Sequence, residues 1–257
     1  MRIATRITSS VVPMSKPCFV VAIMGRAPSA EGKTRLLRSL GTADGAGLRR
    51  ALLSDTLDVV GRVRAASKAV VYTPDDAEAE VRELVPAGTR LLPQRGSDLG
   101  ERLHFAFVDL LQGETDAALI MGSDLPTLPS RNVELGIEAL EQRSGHLVLG
   151  PSPDGGYYLI GLTRPEPRLF EAIPWGTSGV FERTLERARA LALRVELLPE
   201  WYDVDSVGDL EPLMRGNDPG GPVRAAVHTR AWLLAAPPEV RARVIGQSGF
   251  GPEIARR

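Results

Sequence analysis

The sequence predicts a three-layer α/β/α fold built on a mixed, mostly parallel β-sheet. Short apolar runs rich in β-branched residues alternate with amphipathic stretches between residues 18 and 215, as strands do when crossover helices join them. Two such runs, 147–149 and 157–162, lie close together around Asp154-Gly155-Gly156, which predicts local antiparallel pairing and hence the mixed character. Acidic motifs follow two of the strand-like runs, at the strand ends where open α/β sheets gather ligands.

The elements follow in order. Phe19–Met24 is a fully apolar run and a buried strand. The Gly/Pro/Ser stretch Gly25–Gly32 is a loop, with a helix from about Lys33. Leu52, Thr56, Val59 and Val63 share one face of a helix over Leu48–Val63. Ala69–Tyr72 is a strand stopped by Pro74, Asp75–Leu84 an acidic helix, and Arg90–Leu92 a brief strand. A Gly-rich loop and a helix through Leu111 lead to strand Ala117–Met121 and helix Pro129–Gln142. Strands Leu147–Leu149 and Tyr157–Leu162, helix Thr177–Leu191, strand Val195–Leu198 and helix Val207–Met214 complete the domain. Residues 1–17 are read as an N-terminal extension and 18–215 as the nucleotide-binding domain. In 216–257, a Gly/Pro linker (Gly216–Pro222) precedes a tail with one helix candidate, Val223–Ala235. That tail could dock on the body or on a partner, which leaves a homodimer open.

Composition narrows the function. Lys and Arg number 31 against 32 Asp and Glu, a net charge of -1, and no basic stripe points to nucleic acid. No stretch reaches membrane-spanning length, so no membrane role is expected. The single Cys18 rules out a disulfide within the chain and reads as a buried core thiol; a cytoplasmic protein is the simplest expectation. His104, His146 and His228 have no metal-ligand spacing.

Two acidic motifs carry the chemistry. Gly122-Ser123-Asp124-Leu125-Pro126 follows one strand, and Asp203-Val204-Asp205, 81 positions later by its last residue, follows another. Brought together, Asp124 and Asp205 would bind a hard divalent cation, Mg²⁺ or Mn²⁺, with phosphate oxygens completing its shell. Asp203 is read as an outer ligand or supporting acid. Plainer readings exist: Asp124 orders a turn with Pro126, and Asp205 caps a helix, although Ser206 with Asp209 could form a capping box of its own.

The first loop, Ala27-Pro28-Ser29-Ala30-Glu31-Gly32-Lys33-Thr34, matches a relaxed P-loop pattern. Against a P-loop NTPase, Ala27 and Pro28 remove a glycine and an N–H from a loop whose N–H groups must cradle phosphate. The segment Gly25–Arg35 still suits a polyphosphate, through Lys33 and Arg35 beside a helix start. Two solvated surface cations are the plainer alternative.

Several segments in this order resemble one family. They are Gly32-Lys33-Thr34-Arg35-Leu36, Ala51–Leu57, Asp98-Leu99-Gly100-Glu101-Arg102, Gly122–Pro126, Gly150–Gly161, Trp175-Gly176-Thr177, and Asp203–Asp205 with Asp209-Leu210. The chain resembles bacterial GT-A-type transferases described simply as glycosyltransferases. More distantly it is similar to 2-phospholactate guanylyltransferases and molybdenum-cofactor nucleotidyltransferases. The resemblance implies the GT-A, or nucleotide-diphospho-sugar transferase, fold. It places Gly25, Arg26, Gly32, Lys33 and Arg35 at the nucleotide phosphates, Asp98, Leu99 and Gly100 near base or ribose, and the metal on Asp124 and Asp205. Asp154, Gly155, Gly156, Trp175, Gly176 and Thr177 would contact the acceptor, with Thr177 capping a helix. Lys33, Arg35 and Asp124 would be catalytic. GT-A glycosyltransferases usually carry Asp-x-Asp where this chain has Gly122-Ser123-Asp124, which favours nucleotidyl transfer. The expectation is a Mg²⁺-dependent nucleotidyltransferase acting from a nucleoside triphosphate onto a small phosphorylated acceptor. A glycosyltransferase using a nucleotide sugar and a sugar acceptor, a P-loop NTPase and a non-catalytic nucleotide-binding module are the alternatives.

Overall fold

A computed structural model of the protein describes residues 17–63, 66–142, 146–216 and 222–246. The residues expected to form most of the N-terminal extension, most of the linker and the last stretch of the tail lie outside these. Seven strands form one sheet in the order β3-β2-β1-β4-β6-β5-β7. They are β1 (Phe19–Arg26), β2 (Ala66–Thr73), β3 (Arg90–Pro93), β4 (Ala117–Gly122), β5 (His146–Pro151), β6 (Tyr157–Leu162) and β7 (Arg194–Leu197). Strand β6 is antiparallel to both neighbours, and every other pairing is parallel. The sheet is thus mixed through the hairpin expected around Asp154.

Alternation along β1 and β4 divides the core into two layers. Val21, Ile23, Leu119 and Met121 face α2 (Gly45–Arg62), α3 (Glu78–Arg82) and α5 (Ser130–Glu141). Val20, Ala22, Ala118 and Ile120 face α4 (Leu99–Leu110) and α6 (Val180–Ala190). Removing both faces from water supplies the main drive for folding. Helix α2 starts at Asp44, whose carboxylate accepts from Gly47 N, and α4 starts at Asp98, which accepts from Glu101 N.

A third apolar cluster joins α1 (Thr34–Leu40) and α2 to α7 (Val207–Arg215), α8 (Val227–Ala235) and α9 (Pro238–Ile245). The tail therefore docks on the body and contributes two helices where the sequence suggested one. The buried Asp55 carboxylate of α2 accepts from His228 N at 2.8 Å and Thr229 N at 2.7 Å. It satisfies amides at the start of α8 that no residue of that helix can reach. Two further expectations are corrected. Cys18 is exposed, because it precedes β1 at the rim rather than entering the sheet. Helix α6 begins at Val180, so Thr177 does not cap it.

Candidate active site

The carboxyl ends of β1, β4, β5 and β7 lie along one edge of the sheet, and the acidic motifs meet there. Strands β6 and β5 separate β4 from β7, so the two strand ends are about 14 Å apart at ordinary strand spacing. The chain closes that gap after β7. Leu198 N bonds to Leu149 O and Trp201 N to Pro151 O, and Val204 N finally reaches Asp124 O at 3.0 Å. The result brings one carboxylate oxygen each of Asp124, Asp203 and Asp205 within 4.8 Å of one another. The two acids expected to share a cation are together, and Asp203 is a full third member.

Supporting bonds fix each acid. Thr56 Oγ1, buried on α2, donates to Leu52 O and accepts from Leu125 N at 3.1 Å, which anchors the loop carrying Asp124. Asp209 Oδ2 accepts from Ser206 N at 2.7 Å and Asp205 N at 3.1 Å, holding the start of α7 from behind. The sequence signals were present in Ser54-Asp55-Thr56 and in Ser206 with Asp209, but nothing local tied Thr56 to Asp124.

Lys33 sits inside this cluster. Its Nζ lies 2.6 Å from Asp124 Oδ2 and 2.8 Å from Asp205 Oδ1, and donates to Val204 O at 2.5 Å. These three contacts occupy all three ammonium donors. Lys33 reaches them from a left-handed backbone (φ 51) immediately before α1, a conformation that disfavours any residue with a Cβ and that gathers at functional sites. Burial would lower the Lys33 pKa, yet Asp124 and Asp205 hold it above the usual lysine range. Burial pushes Asp203 up to about 8, helped by the charges of Asp124 and Asp205. Burial acts the same way on Asp205, but the Lys33 ammonium outweighs it and holds that carboxyl below its ordinary value. The three clustered carboxylates are a donor set suited to Mg²⁺ or Mn²⁺, and the ammonium, held by two of them and by Val204 O, marks where positive charge is stabilised.

Two cavities adjoin the cluster, and Asp124 and Asp205 line both. The smaller, about 340 Å³, is lined by Gly25, Arg26, Gly32, Lys33 and Arg49 together with Asp124 and Asp205. Arg49 fixes the first loop by donating to Pro28 O and Gly32 O, both at 2.9 Å; its role had no signature in the sequence. Gln94 Nε2 similarly ties Gly25 O to Val71 O. Since α1 has only seven residues, the expected helix-dipole contribution is small, and the charges of Arg26, Lys33 and Arg49 dominate.

The larger cavity, about 510 Å³, collects Arg35, Leu99, Asp154, Gly156, Trp175, Gly176, Thr177 and Asp203. Gly155 (φ 86) lets the 154–156 loop rest on the next segment; a Cβ there would lie 2.1 Å from Ser178 O. Thr177 Oγ1 donates to Pro174 O and accepts from Gly179 N, forming the turn before α6. Of the segment 98–100, Leu99 shares the larger cavity with Arg35. Asp98 is committed to capping α4, and Gly100 packs so closely on Trp175 that a Cβ would sit 2.9 Å from Nε1. A third cavity, about 620 Å³ between α5 and β7, is larger, but Arg194, Glu196 and Glu138 line it without any convergent acid cluster. A second acid group, Asp55, Asp58 and His228, is already engaged through Asp55 at the start of α8.

Comparisons with known proteins agree with this architecture. Residues 56–177 match the family described as "Uncharacterized protein conserved in bacteria (DUF2064)". A protein of Desulfovibrio desulfuricans G20, provisionally classed as a nucleotide-diphospho-sugar transferase, is 31% identical, with 89% of this chain and 99% of that one covered and a TM-score of 0.77. A 4-diphosphocytidyl-2C-methyl-D-erythritol synthase shares the fold at 16% identity, covering 79% of this chain and 100% of that one (TM-score 0.54). A cytidylyltransferase from Leptospira borgpetersenii does so at 12% identity, covering 91% and 100% (TM-score 0.50). No curated protein sequence matches the chain significantly.

Proposed function

We infer that this chain, which belongs to the bacterial DUF2064 family and with it to the nucleotide-diphospho-sugar transferase superfamily, is a divalent-cation-dependent nucleotidyltransferase. It would pass a nucleoside monophosphate from a nucleoside triphosphate to a small acceptor. One observation carries this reading: a three-carboxylate cluster contributes Asp124 and Asp205 both to a cation-lined cavity and to a second, larger one. The polyphosphate belongs in the smaller cavity, against Arg26, Lys33 and Arg49, and the acceptor in the larger. Asp124, Asp203 and Asp205 would hold Mg²⁺ or Mn²⁺, whose bound charge offsets that of the phosphate oxygens.

In-line transfer of a nucleotidyl group needs positioning and charge neutralisation more than covalent help. Arg49 and Gln94 keep the first loop in place, and Thr56 keeps Asp124 at the boundary between the cavities. Lys33 is committed to carboxylates before substrate enters, so its contribution to phosphate binding requires it to exchange those partners. Arg35 approaches from the acceptor side and lowers the Asp205 pKa as a secondary influence after Lys33. The phosphorylated acceptor expected from the sequence gains no support from a cavity in which four carboxylates face this one arginine.

Glycosyl transfer from a nucleotide sugar is the second reading. The relative at 31% identity favours it, as does the convergence of Asp203 and Asp205, an Asp-x-Asp pair, on the same cluster. Purified protein incubated with each nucleoside triphosphate and an acceptor panel separates the two. Pyrophosphate release selects nucleotidyl transfer. Release of a nucleoside diphosphate from nucleotide sugars, with no pyrophosphate, selects glycosyl transfer and removes the first reading.

A further inference from the structure

We propose that the acceptor is a small polyhydroxylated molecule without a phosphate or other anionic group, presenting an apolar face as a polyol or sugar ring does. This inference rests on the nucleotidyl reading and names the substrate class for its second cavity. The two cavities differ in charge. The smaller has three cationic side chains, Arg26, Lys33 and Arg49, against the carboxylates of Asp124 and Asp205. The larger has Arg35 against Asp124, Asp154, Asp203 and Asp205.

A bound divalent ion does not reverse that balance. Counting +1 for Arg35, +2 for the ion and −4 for the acids leaves −1, and the Lys33 ammonium, which touches two of those acids, only brings the sum to zero. An acceptor phosphate would enter with more negative charge and meet no net positive field, and opposed like charges cost several kcal/mol. A phosphate ester is therefore rejected on the side where the acceptor sits and accepted on the side where the donor sits.

The remaining lining suits hydroxyl groups. Asp154 Oδ1 accepts from Gly156 N at 3.0 Å and from Ser152 Oγ, while among the described residues nothing donates to Oδ2. A carboxylate oxygen so placed accepts from substrate hydroxyls. Leu99, 45% exposed, and Trp175 give the cavity an apolar wall, suited to the C–H face of a ring. In the transfer, the acceptor hydroxyl oxygen bonds to the α-phosphorus as the bond from that phosphorus to the bridging oxygen breaks. Pyrophosphate leaves with the bonding pair, and the hydroxyl proton passes to bulk water.

Inorganic phosphate is a probe that needs no knowledge of the substrate. In an NMR titration with Mg²⁺ present, shifts are expected at amides of the smaller cavity, such as Gly32 and Ser123. None is expected at Gly156, Gly176 or Ser178 in the larger one. Phosphate-induced shifts at those three would overturn the proposal; no shift anywhere supports it and counts against a phosphate site in the smaller cavity. Turnover supplies the second arm, using glucose with glucose 1-phosphate and glycerol with glycerol 3-phosphate. With each nucleoside triphosphate, the alcohol should release pyrophosphate at least about tenfold faster than its ester, equivalent to roughly 1.4 kcal/mol. Faster release with the esters sinks the acceptor class and leaves nucleotidyl transfer standing. Nucleoside diphosphate release from nucleotide sugars alone sinks the nucleotidyl reading, and the phosphate titration then still decides the acceptor class.

Discussion

Replacing Lys33 by methionine should strengthen divalent-cation binding while weakening catalysis, an opposition that few surface residues would produce. The ammonium occupies the space between Asp124 and Asp205, 2.6 and 2.8 Å from their oxygens, so a cation that uses both acids competes with it. The Asp124 side chain is 22% exposed, which places its charge-assisted bond at about 1.5–3 kcal/mol. The Asp205 side chain is 64% exposed, so solvent screening limits that pair to about 0.2–1 kcal/mol. Removing the competitor should therefore release roughly 1.7–4 kcal/mol, or about 20- to 900-fold in Mn²⁺ affinity without nucleotide. Methionine keeps the length of the side chain and is no more suited than lysine to the left-handed backbone, which limits the change to charge. Mn²⁺ titration by calorimetry, or by loss of the free-ion electron paramagnetic resonance signal, reads the affinity directly. Turnover should fall about 10²- to 10³-fold if Lys33 also serves the departing phosphates. A Lys33→Met protein that binds Mn²⁺ no more tightly than wild type would refute the competition between ammonium and metal.

Arg35→Ala should lower kcat more than it raises KM once a substrate is in hand, as steady-state kinetics can resolve; an unchanged kcat removes its catalytic role. Gly100→Ala puts a methyl group 2.9 Å from Trp175 Nε1 and should destabilise by about 1–3 kcal/mol, with a changed Trp emission spectrum and a higher KM for acceptor. Asp55→Ala leaves two amides at the start of α8 without their acceptor; a loss of about 2–3 kcal/mol should appear as a Tm lower by roughly 4–12 °C. Asp203, pushed up to about 8 mainly by burial, holds its proton in the folded state through a window where the unfolded chain, titrating near about 4, has lost it. Stability from this group is therefore fully present below about pH 4 and declines as pH rises through about 8. Thermal melts of wild type and Asp203→Asn should diverge in the variant's favour over that interval, and equal pH slopes would contradict the assignment.

Much of the fold was legible because it is encoded locally. Phe19–Met24 and Ala117–Met121 are apolar on both faces, which only a strand covered on both sides explains, and both run in the centre of the sheet. The close pair of runs around Asp154 announced the antiparallel β6. The tail was harder to read. Val223–Ala235 has a weak apolar pattern because the contacts burying it come from α2 and α7, and the residue serving the first turn of α8 is Asp55, more than 170 positions away.

The candidate site divides along the same line. Sequence alone selected Asp124 and Asp205, because each lies just beyond a strand end, where open α/β sheets gather ligands. It could not promote Asp203 to an equal, since that depends on the path of residues 198–204 back across the ends of β5 and β6 to the Asp124 loop. Nor could it place Lys33 among the acids. The motif suggested a cation for phosphate, whereas the left-handed turn at Lys33 directs the ammonium to Asp124 and Asp205. Motifs fix which groups stand at each strand end, through periodicity and turn chemistry within a few residues. Which groups meet, and with what charge around them, is fixed by strand order and loop path, because electrostatic interactions depend on distances in space that no local pattern specifies.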